Sequence, residues 1–132
     1  MQTYNESKNM TEQEKQELLA KFSKAWGRAD VDGLMALMTD DCVYKASVGP
    51  EPGTTYSGKD EVRRGFAEIL EYESGGEQRG GRLWFSGDYA FAEWSYDEVA
   101  DDGSITDIQG IDIFHFVDGK LALKDAFRKT KM

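Results

Sequence analysis

Apolar positions recur at helical spacing in the first part of the chain. Leu18, Leu19, Phe22, Ala25, Trp26 and Ala29 fall on one face of a helix predicted over residues 12–29. Thr11, answered by Glu14 three residues later, is a capping-box signature at its start. Asp32 is expected to cap a short second helix that turns Leu34, Leu37 and Met38 inward. The run Cys42-Val43-Tyr44-Lys45-Ala46 has strand character. Gly49-Pro50-Glu51-Pro52-Gly53 then reads as an irregular loop, because both prolines stand between two glycines. A third helix opens at Ser57 or Gly58, with Val62, Phe66, Ile69 and Leu70 as its apolar stripe, and ends in a glycine-rich connection from Gly75 to Gly81. Beyond it the pattern changes to strands over residues 82–85, 89–99, 105–116 and 121–128. They are separated by Gly87-Asp88, Asp102-Gly103 and Asp118-Gly119, short connections that signal an antiparallel meander. Helices, one early strand, a helix and then a meander make an α+β domain over residues 12–132, with residues 1–11 as a frayed tail.

The last hairpin permits a register argument. A two-residue turn at Asp118-Gly119 would set Asp112 opposite Asp125, and like charges facing each other across a ladder are destabilising. A three-residue loop, Val117-Asp118-Gly119, instead pairs Asp112 with Lys124, Phe114 with Ala122 and Gly110 with Ala126, and this register is preferred. One face then carries Asp112, Phe114, Phe116, Lys124 and Arg128. The other carries Ile111, Ile113, His115, Val117, Leu121, Leu123, Asp125 and Phe127. Both faces hold large residues, yet three helices cover only one, so a two-fold partner is expected on the second. Gly110 inside this strong strand reads as a bend or bulge that curves the sheet. A curved sheet closed by helices makes a cone with an internal pocket for a small ligand. Hydrophobicity alone leaves open which face looks into that pocket.

Composition narrows the chemistry. The 132 residues, 39% of them hydrophobic with three Trp, six Tyr and seven Phe, suffice for one domain with its own core. A formal charge of -9 disfavours nucleic acid and anionic membrane surfaces as partners. No apolar run reaches the ~20 residues of a membrane span, and the polar N-terminal stretch lacks a signal-peptide core. The lone Cys42 cannot form an intrachain disulfide, which points to the cytoplasm. One Cys and one His cannot build a structural zinc site. Asp30-Val31-Asp32-Gly33 and Asp101-Asp102-Gly103 lack the spacing and closing glutamate of a calcium loop. With no phosphate-binding glycine motif either, neither metal nor cofactor is expected. Cys42 reads as a small buried apolar residue and His115, by strand parity, as an interface residue rather than its catalytic partner.

Four segments in order resemble the SnoaL-like, NTF2-like superfamily. They are Ala25-Trp26 with Asp30-Val31-Asp32-Gly33-Leu34; Thr39-Asp40-Asp41-Cys42-Val43-Tyr44; Tyr56-Ser57-Gly58-Lys59-Asp60-Glu61-Val62; and Gly110-Ile111-Asp112-Ile113-Phe114 with Asp118-Gly119-Lys120-Leu121. The resemblance implies an NTF2-like cone, three N-terminal helices packed on a strongly curved antiparallel sheet. It also implies a homodimer through the outer sheet face and a cavity between sheet and helices. The superfamily includes ketosteroid isomerases, polyketide cyclases, epoxide hydrolases, dehydratases and non-catalytic transport factors, so fold alone does not name a reaction. Asp112 falls where ketosteroid isomerases keep a protonated pocket aspartic acid that donates to an oxyanion. Their catalytic base corresponds to Ala46 and their pocket tyrosine to Phe22, so both groups are missing and steroid isomerisation by that mechanism is disfavoured. Lys124 and Arg128 fall at pocket-lining positions of those relatives.

Asp112 in an apolar strand is costly to bury unless paired or protonated. A satisfied ion pair with Lys124 and an acid-base or oxyanion-donor role both fit it. The expected site has Asp112 and Lys124 as catalytic groups, with Arg128, Glu93, Tyr44, Phe22, Trp26, Phe66 and Phe114 binding the substrate. Trp84 is expected in the core or pocket wall. The expected activity is cofactor-independent acid-base chemistry (isomerase, dehydratase, cyclase or hydrolase) on a small carbonyl- or carboxylate-bearing compound. The alternatives are a ligand-binding module without turnover, and a dimerisation domain whose cavity its own Trp26 and Phe66 fill.

Overall fold

A computed structural model describes residues 9–73 and 78–130. Helices α1 (Glu12–Gly27), α2 (Val31–Met35) and α3 (Lys59–Tyr72) accompany six strands: β1 (Met38–Lys45), β2 (Thr55–Ser57), β3 (Gln78–Ser86), β4 (Tyr89–Val99), β5 (Ile105–Val117) and β6 (Lys120–Arg128). The strands form one curved, unclosed sheet in the order β2-β1-β6-β5-β4-β3. Every neighbouring pair is antiparallel except β1 and β6, which run parallel. The sheet is therefore mixed, because the chain returns to the side of β1 only after α3 and the whole meander. No helix is long and apolar enough to cross a membrane among the described residues.

Local signals explain the element ends. The capping box forms, with the Glu14 amide donating to Thr11 Oγ1 at 3.1 Å and the Thr11 amide to Glu14 Oε1 at 2.9 Å. The first helix stops at Gly27, two residues before the expected end, and Ala29 adopts a left-handed φ of 53°. Asp30, not Asp32, caps α2 by accepting from the Gly33 amide at 2.9 Å, while Asp32 pairs with Arg63 at 2.8 Å. Met38 opens β1 rather than closing α2, and it is fully buried there. The early strand thus starts four residues sooner than expected. Its exposed Asp40 and Asp41 are accommodated where the register to β6 shifts between Met38 and Val43. The three-residue β2 gave no alternating pattern long enough to notice. Of the expected glycine-rich connection, residues 75–77 lie outside the described residues, and Gln78–Gly81 belong to β3. Of the expected tail, residues 1–8 lie outside them too, whereas Met10 packs against the core.

The final hairpin corrects the expected register. Asp118 and Gly119 both have positive φ, 51° and 80°, and make a two-residue turn with Val117 opposite Lys120. The clash of Asp112 with Asp125 is avoided by a bulge: Phe116 pairs with Leu121, but His115 pairs with Leu123, and Ala122 is the extra residue. Asp112 therefore faces Ala126, Phe114 faces Lys124 and Gly110 faces Arg128. This pairing is displaced from the expected one by two positions, so the faces of Asp112 and Lys124 are unchanged. Leu121, before the bulge, is moved to the inner face and is fully buried.

Burial alternates from Ile111 to Phe116, with Asp112, Phe114 and Phe116 buried and their neighbours half-buried. The face bearing Asp112 is thus the core side. Phe66 sits at the centre of that core, fully buried, with ring centroids of Tyr44, Trp26 and Phe22 at 4.8, 5.5 and 5.9 Å. Phe66→Ala is expected to cost about 3–5 kcal/mol in urea unfolding, against about 1 kcal/mol for removal of the Thr11 cap by Thr11→Ala. Equal losses from the two variants would contradict this placement of the core.

Candidate functional site

Strands β5 and β6 bring Asp112 and Lys124 together diagonally rather than face to face. Lys124 Nζ lies 2.9 Å from Asp112 Oδ2, and the two residues are only 5% and 8% exposed. The second carboxylate oxygen, Oδ1, accepts from Trp94 Nε1 at 3.0 Å. The ammonium is surrounded by aromatic faces, with Trp26, Tyr44 and Phe114 ring centroids at 4.6, 5.5 and 5.9 Å. A buried ion pair survives only when its remaining hydrogen-bonding capacity is met, and the Trp94 donor and the three π faces supply that.

Gly110 explains how Trp94 reaches the pair. The ladders of β5 to both neighbours run through Gly110 without interruption, so it is not a bulge. It stands opposite Trp94, and a Cβ at this position would run into the Trp94 ring and the Phe127 carbonyl oxygen. The missing side chain makes room for the indole.

These residues open on a cavity of about 410 Å³ whose walls include Phe22, Trp26, Tyr44, Phe114 and Trp94 around Asp112 and Lys124. That volume suits a small organic molecule. Glu73, the cap residue at the C-terminal end of α3, forms part of the wall. Its Oε1 accepts from Gln78 Nε2 at 2.7 Å and from Trp26 Nε1 at 3.3 Å. Burial pushes the Glu73 carboxyl above the usual range, opposed by the Trp26 hydrogen bond and the charge of Lys124. Burial, reinforced by the charge of Asp112, holds the Tyr44 phenol well above its ordinary value, so it stays protonated.

The expected site is thus only partly assembled. Asp112, Lys124, Tyr44, Phe22, Trp26 and Phe114 line one cavity. Phe66 does not line it and stands behind the wall as core. Arg128 does not line it either: it donates to Tyr96 Oη at 3.2 Å and lies 3.9 Å from Glu98. Glu93 reaches the cavity at the rim, but it pairs with Ile111 and so alternates away from Asp112. Arg82 binds both of its oxygens, at 2.9 and 2.8 Å, and these bonds hold the carboxyl down at about 2. Trp84 is not core or wall: it is 43% exposed, beneath the Arg82 guanidinium. Cys42 is buried in the core, while His115 stacks on the exposed Tyr89 at 4.4 Å on the outer face, so the two share no site. Among the described residues, no group of three or more His, Cys, Asp or Glu could hold a metal ion. The reading from sequence passed over Trp94 and Glu73. The first was signalled by a glycine among large strand residues, whereas a glutamate at a helix end looks like a solvated one.

Residues 19–123 match the family model for the SnoaL-like domain. Among solved structures, an NTF2-like protein of unknown function from Mesorhizobium loti is 20% identical, with a TM-score of 0.76 over 93% of this chain and 97% of that one. SalBIII, an epoxide hydrolase/cyclase-like enzyme of pyran ring formation in the polyether salinomycin, is 18% identical, with a TM-score of 0.74 over 90% and 93%. TerC, co-crystallised with polyporic acid, is 16% identical, with a TM-score of 0.73 over 88% and 92%. No curated protein matches the chain.

If Gly110 is the space that seats the Trp94 indole, Gly110→Ala breaks the Trp94–Asp112 hydrogen bond. The expected cost is about 1–3 kcal/mol, with a large shift of one indole N–H resonance in a ¹H–¹⁵N spectrum. An unshifted resonance would contradict the assignment.

Proposed function

The chain belongs to the SnoaL-like domain family, and we propose that it binds a small carbonyl- or carboxylate-bearing organic compound and transforms it by cofactor-independent acid-base chemistry. Isomerisation, dehydration, cyclisation and hydrolysis all fall in that class. The observation that carries the reading is the buried Asp112–Lys124 pair opening on a cavity of about 410 Å³. In this reading Lys124 holds an anionic or enolate oxygen, and Asp112 fixes the ammonium and shares in proton movement. Charges held rigidly in a dry site stabilise developing charge without reorganising at the moment of reaction. The aromatic walls supply the apolar contact. TerC, co-crystallised with polyporic acid, and SalBIII, an epoxide hydrolase/cyclase-like enzyme, support small-molecule work on this architecture without naming the reaction here.

A second reading, ligand binding without turnover, draws on one specific observation: each oxygen of Asp112 already accepts a hydrogen bond. A purely structural dimeriser fits less well, since Trp26 and Phe66 leave the cavity open. We propose in addition a single domain over residues 12–132 that forms a homodimer in the cytoplasm through the outer sheet face. The exposure of Tyr89 and Phe127 on that face supports the dimer, and a single buried cysteine is compatible with a reducing compartment.

Carboxylates and ketones that raise the melting temperature of the protein, once found by screening, are expected to bind Lys124→Met about 10–100-fold more weakly. Where one is turned over, Asp112→Asn is expected to lower kcat about 10²–10³-fold. Unchanged affinity and turnover in both variants would defeat the assignment.

A further inference from the structure

We propose that Glu73 is the group that exchanges a proton with the bound molecule, acting through Oε2 across the Trp26 indole from the Asp112–Lys124 pair. This rests on the pocket reading above and assigns the direct proton exchange with the ligand to a residue outside the expected site, leaving Asp112 to act through Lys124. Three features of the geometry carry it. Both hydrogen bonds to Glu73, from Trp26 and Gln78, fall on Oε1, so among the described residues Oε2 has none and is available to a ligand. Asp112 differs: Oδ1 is engaged by Trp94 and Oδ2 by Lys124. One indole links the two centres, since Trp26 donates to Glu73 from its N–H edge and offers its ring face to Lys124 Nζ at 4.6 Å.

The surroundings favour a proton on Glu73. It caps the C-terminal end of a 14-residue helix, where unpaired carbonyls disfavour a negative charge. Burial acts in the same direction, and so does Asp112 of β5. Lys124 and Arg128 of β6 and the Trp26 bond of α1 oppose it. The phenols of Tyr44 on β1 and Tyr96 on β4 lie within the field of Glu73, and both are pushed toward the protonated form, chiefly by burial. The result is two carboxyls in unlike environments within one cavity, one fixed in an ion pair and one with an oxygen open to the ligand, a division of labour that acid-base sites use. In the transfer the Oε2–H bond breaks and an O–H bond forms on a ligand oxygen lying near Lys124. The resulting carboxylate recovers a proton from another atom of the ligand, so no oxidant or reductant is required.

The probe is 2,4-dinitrophenolate, an aromatic oxyanion that stays ionised over the range used, so that changes in its affinity report groups on the protein. Its binding to the full chain is measured by absorbance from about pH 5 to about pH 8. Protonated Glu73 can donate to the phenolate and ionised Glu73 repels it, so affinity is expected to fall about tenfold as pH rises. Glu73→Gln keeps an acceptor for Trp26 but cannot ionise, and its affinity is expected to stay flat with pH. Glu73→Asp, still ionisable, is expected to keep a slope, and Lys124→Met is expected to weaken binding at every pH. A slope that persists unchanged in Glu73→Gln overturns the role of Glu73 and leaves the pocket intact. Absence of saturable binding, or binding indifferent to Lys124→Met as well, overturns the pocket reading and this proposal with it.

Discussion

A lysine and an aspartate that are almost fully buried must satisfy each other, and much of the site is arranged by that requirement. Asp112 and Lys124 meet at 2.9 Å only because β5 and β6 are staggered by the bulge at Ala122, which sets them on one face two positions apart. The same bulge keeps Asp112 from facing Asp125. The residual capacity of the carboxylate is filled by Trp94, which needs the empty position at Gly110. The residual field of the ammonium is met by Trp26, Tyr44 and Phe114. Removing any one of these leaves a charge in a medium that solvates it poorly.

That arrangement explains how a pocket and a core coexist in so short a chain. Phe66 and its aromatic neighbours fill the space between α1, α3 and β1, so the end of the sheet curvature near β3 and β4 remains open. The cavity wall is more apolar than polar, with the Asp112–Lys124 pair and Glu73 in it and with Arg79, Arg82 and Glu93 also among its lining residues. Such a site orients a ligand by its oxygen atoms and selects its body by shape. The family fold leaves the reaction unspecified, and the side chains at this point decide it.

Much of this was legible in the sequence, and the reasons are local. The capping box at Thr11 and Glu14, the apolar stripes of α1 and α3, and the Asp-Gly turns are written within a few residues each. Which residues share a face with Asp112 followed from the turn and the cost of facing Asp125, even though the register was displaced by two. Large residues on both faces, however, left the inward face to the family resemblance. A bulge is a response to tertiary packing, and nothing in the run from Leu121 to Arg128 announces it. The partners of Arg128 and Glu93 were not legible for a related reason. Each is taken up by a partner on another element, Tyr96 for Arg128 and Arg82 for Glu93, and such competition is invisible until the strands are placed. Glu73 was passed over because its burial comes from α1 and β3 closing over a helix end.

The central claim is that Asp112 and Lys124 are interdependent buried charges. A double-mutant cycle of Asp112→Asn and Lys124→Met, read as unfolding free energy in urea, tests it most directly. Each single variant is expected to lose about 3–5 kcal/mol by leaving a charge unpaired, and the double variant to lose clearly less than the sum of the two. Additive losses would mean that the two groups are stabilised separately, and the account of the site built on their pairing would be wrong.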